Sequence, residues 1–373
     1  MIHGDRQSIP WARPAIDDAE LNEVIACMKS GWLSCGPRVA KFECLMAARA
    51  GRKFGIAVTN GTAALDLAMK AINLGPGEEV IVPAFSYIAT ASTVVMQGAT
   101  PVFCDIDRDN LCMDPASAAD SISPQTRAIL CTDYGGNPCD FTALGALADR
   151  HGLPLIVDGA QSIGTMFGGK PALSYGLIST VSFHAAKTMT TVEGGMVFTD
   201  DETLARRMRI IRSQGEDPRR KYYHVEVGHN FRMTELQAAI GLAQLGKLDA
   251  FLGDRQRLAA RYRTELAGMG LRMPSQLPDG HNSHFLFTIL IDNRDEVADR
   301  LKRSGVETRI CYPIPLYAQP ILRRYKAGHC PVAEEACSTV LNLPIFYGMT
   351  AAQQRHITDE LRETLRESSR SAA

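Results

Sequence analysis

The sequence predicts an α/β protein: a large domain whose mostly parallel sheet is sandwiched by helices, followed by a smaller α+β domain. Three observations predict it. Between residues 55 and 199 short apolar runs alternate with amphipathic stretches, the pattern of strands buried on both faces. From about residue 203 the texture changes to long charged helices. The chain has 373 residues, 45% hydrophobic and 22% charged, which suits two folded domains and excludes a disordered or fibrous chain.

Residues 1–13 form an N-terminal arm, 14–250 the large domain and 251–373 the small one. In 16–30, Ile16, Leu21, Val24, Ile25 and Met28 recur at helical spacing behind Asp17 and Asp18, acidic residues suited to a first turn. Gly31, Gly36 and Pro37 break the chain, and a second helix over 38–50 stops at Gly51. GIAVT (55–59) is a buried strand and 62–73 a helix; EVIV (79–82) is a strand, followed by a helix near 86–97 that stops at Gly98. Strand 101–104, helix 115–121, strand 127–132, helix 141–151 and strand 154–157 continue the alternation, and strands near 178–183 and 196–199 fit the same sheet. Helices over 202–212, 234–250 and 252–268 follow, then strand 285–291, helix 294–304, strand 306–311 and a frayed tail over 365–373.

Composition narrows the function. Forty Lys and Arg against 41 Asp and Glu give a net charge of −1, so nothing draws the chain to nucleic acid or an anionic membrane, and any anion site must be local. There is no apolar run of about 18 residues and no signal-like leader, and the ten cysteines show no CxxC spacing. The expectation is a cytoplasmic protein with reduced thiols.

Several motifs fail. Gly164–Lys170 matches most of a phosphate-binding P-loop, but Pro171 stands where a Ser or Thr must follow. Gly75-Pro76-Gly77 precedes a strand instead of opening a helix, and His281 with His284 supplies two ligands where a metal site needs more. GxSxG and HExxH are absent.

Four segments hold. Asn60-Gly61-Thr62-Ala63 lies between a strand and a helix, where free N–H groups and the helix dipole suit a phosphate; an ordinary N-cap is the plainer reading. Val157-Asp158-Gly159-Ala160-Gln161 places a carboxylate at the carboxyl end of a buried strand, either answering a cation or capping the next turn. Ser182 to Gly195 carries Lys187 in a loop of small and hydroxyl residues. Burial there would lower the pKa of the amine and make it nucleophilic, with Ser182 five residues earlier as a phosphate donor. Gly228-His-Asn230-Phe-Arg232 leads into a helix capped near Thr234, and its polar pair either reaches a phosphate or fixes the loop.

Taken in order, GTAAL, DGAQ, SFHAAKTMTTVEGG and GHNFRMTELQAAIGLAQL strongly resemble the pyridoxal-phosphate (PLP)-dependent sugar aminotransferases of the DegT/StrS family. So do Ser30–Pro37, Pro83–Thr90 and Tyr312–Leu316, and the resemblance spans roughly residues 9–350. It implies a fold-type I transferase and a role for each matching position. Lys187 forms the internal aldimine with PLP, and Asp158 partners the pyridine N–H. Gln161 bonds the ring hydroxyl and Tyr87 stacks on the ring, while Gly61, Thr62, Ala63 and Ser182 hold the phosphate. Asn230 reaches that phosphate from the neighbouring subunit of a homodimer. The implied reaction takes an amino group from glutamate or glutamine to a keto-sugar linked to a nucleotide, through pyridoxamine phosphate. His184, Glu193, Tyr312 and Tyr317 are candidate substrate contacts.

Two departures from the family pattern, Asp133 before Tyr134 and Tyr317 after Leu316, border the expected substrate pocket. Both leave the identity of the sugar open, and Tyr317 keeps open a cyclitol or other non-nucleotide keto substrate. A sugar dehydratase of the same fold is the other alternative, but those relatives carry histidine where this chain has Lys187. A regulator that merely binds cofactor lacks support, since no basic patch or added module is present.

Overall fold

The computed structural model describes residues 8–325 and 328–371. Helices α1 (Asp18–Ser30) and α2 (Pro37–Arg49) precede strand β1 (Phe54–Val58). The alternation runs α3 (Gly61–Ala71), β2 (Glu79–Pro83), α4 (Ile88–Met96), β3 (Thr100–Cys104), α5 (Pro115–Asp120), β4 (Thr126–Thr132), α6 (Phe141–His151) and β5 (Leu155–Asp158). Short strands β6 (Met166–Phe167) and β7 (Lys170–Pro171) lead to β8 (Ile178–Ser182) and β9 (Gly195–Thr199). There follow α7 (Glu202–Arg212), α8 (Glu235–Glu265), β10 (Gly280–His281), β11 (Phe287–Leu290), α9 (Arg294–Arg303), α10 (Pro331–Thr339), β12 (Val340–Leu343) and α11 (Ala351–Ser371).

Seven strands form the main sheet in the order β1-β9-β8-β5-β4-β2-β3. Side chains alternate between its faces. Ile56, Val58 and Val197 join the core built with α3 and α7, whereas Ala57, Met196 and Phe198 pack with α2 and α8. Burial on both faces explains why these strands read as continuous apolar runs. The sheet is not wholly parallel. β9 runs antiparallel to β1 and β8, because the loop carrying Lys187 returns the chain directly to the neighbouring position without a crossover helix.

Three other expectations are corrected, and one feature of α1 is unusual. The helices expected over 234–250 and 252–268 are one 31-residue helix, α8, so position 250 falls inside it; Gly253 faces open space and does not break it. Residues 306–311 form no strand: Val306 and Arg309 make isolated bridges, and β11 pairs instead with β12. The tail stays helical to Ser371, with residues 372–373 outside the described part. The apolar stripe of α1 does not face the core. Leu21, Ile25 and Met28 are exposed, while Glu20 is buried and accepts from Gln244 Nε2 (2.8 Å).

Of the arm, residues 1–7 lie outside the described part; Ile9 pairs with Val306 and is buried in the core of the small domain, beside Tyr262, Phe287 and Leu341. Among the described residues no helix is long and apolar enough to cross a membrane.

Candidate active site

A cavity of about 840 Å³ lies at the carboxyl ends of β1, β2, β4, β5 and β8, the edge of an open α/β sheet where ligands bind. Each strand contributes through the turn that follows it. After β1, Asn60 caps α3: its side chain accepts from Ala63 N–H (2.8 Å), and the first intrahelical bond runs from Ala64 N–H to the Asn60 carbonyl (3.1 Å). The N–H groups of Gly61 and Thr62 therefore precede the helical ladder, and both residues line the cavity, whereas the N–H of Ala63 is already engaged. A Cβ on Gly61 would stand 2.9 Å from Ser182 Cβ, so glycine lets the start of α3 close on the end of β8. Gly195 serves the same approach from β9, where a Cβ would meet the Asn60 carbonyl oxygen at 2.4 Å. A helix N-terminus beside a serine hydroxyl is a cradle for a phosphate.

Asp158 ends β5 and is 4% exposed. Oδ2 accepts from Thr90 Oγ1 (2.8 Å) and Oδ1 from Ala160 N–H (3.2 Å), so the carboxyl both caps its turn and lines the cavity. Burial raises its pKa against these two donors and the nearby Lys187. Thr90 is itself fixed by Ser86 Oγ (2.8 Å), which also lies 3.1 Å from Thr132 Oγ1.

Lys187 stands in the turn after β8, its N–H donating to the His184 carbonyl (2.9 Å). Its Nζ lies 4.4 Å from the centre of the Phe285 ring. Burial pulls the pKa of the amine down to about 8, while the negative charge of Asp158 works in the opposite direction. A partly neutral amine near physiological pH is a nucleophile and a base.

Gln161 Oε1 accepts from Gly135 N–H (2.7 Å) and its Nε2 donates to Tyr312 Oη (2.9 Å). Tyr312 lies 6.0 Å from Tyr87, ring centre to ring centre, and both line the cavity. His184 and Glu193 also line it, with Nε2 and Oε1 3.7 Å apart. Asn230 is exposed and is not part of this chain's cavity wall, although its neighbours His229 and Phe231 are.

Two expectations about the pocket border are corrected. Tyr317 is buried against Phe103 in the core, and its hydroxyl donates to Glu334 Oε1 (2.7 Å), which turns it away from the cavity. Asp133 is fully buried behind the cavity wall, with Oδ1 accepting from Cys139 N–H (3.0 Å). Sequence reasoning assigned no role to Thr90, in the first turn of α4, or to Phe285, just before β11.

Comparison with known proteins decides the family. Residues 14–362 match the model of the DegT/DnrJ/EryC1/StrS aminotransferase family. The chain belongs to this family. It is 38% identical to GDP-perosamine synthase of Caulobacter vibrioides over 369 residues, 97% of this chain and 99% of that one. It is 37% identical to UDP-2-acetamido-2-deoxy-3-oxo-D-glucuronate aminotransferase of Pseudomonas aeruginosa, over 88% of this chain and 90% of that one. Among solved structures it superposes on Streptomyces venezuelae DesV, in complex with a ketimine intermediate, with a TM-score of 0.91 and 34% identity over 96% and 98% of the two chains. The protein is therefore a PLP-dependent aminotransferase of fold type I. The site fits that cofactor: a cradle that a Cβ at Gly61 would fill, a buried carboxyl at the cavity wall and a desolvated amine share one cavity.

Proposed function

We propose that the protein moves an amino group from glutamate (or glutamine) to a keto-sugar carried on a nucleotide diphosphate. The reading is supported chiefly by Lys187, a buried amine that shares one cavity with the Asp158 carboxyl and the start of α3. The nucleotide-sugar names of its relatives support the acceptor class.

When bound, PLP supplies an electron sink that accepts the charge arising at a substrate carbon. The N–H groups of Gly61 and Thr62 and the Ser182 hydroxyl hold its phosphate, with Ala63 kept small beside them. Asn230 of a second copy completes the cradle in a homodimer. Asp158 keeps the proton on the ring nitrogen. Gln161, braced by Gly135 and Tyr312, faces the ring hydroxyl, and Tyr87 lies against the ring. Lys187 would anchor the cofactor through its Nζ, and the same nitrogen, when free, would take the proton from the α-carbon of the amino donor and deliver one to the sugar carbon that receives the amine. His184 and Glu193 present a polar pair to the sugar at the cavity wall, and Tyr312 encloses it.

The test incubates the holoenzyme with glutamate or glutamine and a panel of nucleotide keto-sugars, and reads the exchange of oxygen for amine by mass spectrometry. Exchange on at least one of them is expected. Exchange confined to cyclitol ketones, with every nucleotide sugar untouched, would remove this acceptor class.

A further inference from the structure

Four oxygen-bearing side chains form a chain of hydrogen bonds over the carboxyl ends of β5, β4 and β2. Thr90 Oγ1 donates to Asp158 Oδ2 (2.8 Å), Ser86 Oγ lies 2.8 Å from Thr90 Oγ1, and Thr132 Oγ1 lies 3.1 Å from Ser86 Oγ. Ser86 comes from the turn after β2 and Thr90 from the first turn of α4, while Thr132 and Asp158 are paired at the ends of β4 and β5. None of the four is more than 5% exposed, so bulk water does not stand in for a lost bond. Thr90 also differs from Thr93, three residues on. Thr93 returns its hydroxyl to the Ala89 carbonyl of its own helix (2.9 Å), a usual bond for a helical threonine, whereas Thr90 sends its hydroxyl out of the helix to Asp158.

The direction of these bonds follows from the hydrogens available. A hydroxyl carries one hydrogen and a carboxylate none. While Asp158 is ionised, Thr90 gives its hydrogen to Oδ2 and can only accept from Ser86. Ser86 then gives its own hydrogen to Thr90 and accepts from Thr132. The hydroxyls therefore all point towards the carboxylate, and each polarises the next.

We propose that Thr90, oriented by Ser86 and Thr132, is a positioning residue for the reaction: the aligned hydroxyls keep Asp158 ionised, so that the proton it faces stays on the ring nitrogen of the cofactor. This rests on the reading of Asp158 as the partner of that nitrogen. Burial raises the pKa of Asp158, and the Thr90 hydroxyl is the largest of the influences that lower it, ahead of the Ala160 N–H and the charge of Lys187. The hydroxyls stabilise the carboxylate without bringing another charge into the cavity. Without them the proton passes across: the N–H bond breaks, an O–H bond forms on Asp158, and both partners become neutral. A neutral ring withdraws less charge from the substrate carbon.

Nitrogen NMR of the full-length holoenzyme, loaded with cofactor isotopically labelled at the ring nitrogen, tests this. The wild-type signal should be that of a protonated ring. Thr90→Val keeps the shape of the side chain and removes the hydroxyl. Its signal should move towards the unprotonated position, with the balance between the two proton sites changed roughly ten- to a hundredfold. Thr90→Ser restores the hydroxyl without the methyl group and should return the signal to its wild-type place. Ser86→Ala leaves Thr90 but removes the group that orients it, and should move the signal the same way by less. An unmoved signal in Thr90→Val or in Ser86→Ala overturns the proposal, as does a Thr90→Ser signal that matches Thr90→Val. If Thr90→Val fails to fold, Ser86→Ala decides. Asp158→Asn separates the proposal from the reading beneath it, because there the ring should lose its proton altogether. A ring still protonated in Asp158→Asn removes that reading, whereas a shift in Asp158→Asn with none in Thr90→Val removes only the role of the hydroxyls.

Discussion

Lys187 is the residue whose environment does most to determine what the protein can do. Desolvation holds its pKa near 8, below the ordinary 10.5, so the folded chain disfavours the ammonium. The sign follows: below about pH 8 the charged amine costs stability, and the cost is relieved as pH rises from there toward 10.5. In protein stripped of cofactor, acylation of Lys187, read by peptide mass, should therefore rise with a midpoint near pH 8. Asp158→Asn should lower that midpoint, since the negative charge of the Asp158 carboxylate is the larger of the two influences that raise it. A midpoint that stays put would show that the two groups do not sense each other. Lys187 and Asp158 were legible in the sequence because their chemistry contradicts their surroundings: an amine among small hydroxyl residues, an acid ending an apolar strand. Thr90 was not, because its value lies in a bond to Asp158 that spans 68 residues. Tyr317 misled because a tyrosine reads alike whether its hydroxyl faces a pocket or, as here, Glu334.

At the scale of elements, the alternation of strands and helices was legible because the central strands of the main sheet are buried on both faces and many of the connecting turns carry a glycine or proline. What escaped depends on distant pairing. β12 pairs with β11 across the small domain, and nothing near residue 340 announces this. The antiparallel β9 has the same apolar signature as its parallel neighbours. α8 carries glycines within a charged, weakly periodic stretch, which is why the sequence suggested a break. The break is absent, and a prediction follows from its absence. Gly253 is an exposed helix-interior glycine, and a Cβ there meets nothing within 4 Å. Gly253→Ala should stabilise the protein by about 0.5–1 kcal/mol, by removing backbone freedom from the unfolded chain. Thermal or urea denaturation would register it. A loss of stability would mean that the helix is interrupted there.

At the scale of the whole molecule, an exposed apolar stripe and the exposed Asn230 bear on whether one chain builds its site alone. Leu21, Ile25 and Met28 of α1 expose about half their area each, at 54%, 51% and 54%, with Trp32 beyond them at 58%. An apolar stripe of this kind on a folded chain is characteristic of a surface that another chain covers. Asn230 lies outside the cavity wall of its own chain, yet the family resemblance gives it a phosphate to hold. Both facts are accounted for if a second copy lends its Asn230. The consequence is sharp enough to measure. Lys187→Ala and Asn230→Ala homodimers should each be impaired, and a mixture refolded or re-equilibrated at equal concentrations should regain activity. If each site takes Lys187 from one subunit and Asn230 from the other, every mixed dimer holds one intact site and one doubly damaged site. Random pairing then restores about a quarter of the wild-type sites. If both residues served the same chain's site, each site in a mixed dimer would carry one lesion and the mixture would be no more active than the average of its parents. Activity in the mixture therefore distinguishes a site built by one chain from a site built by two.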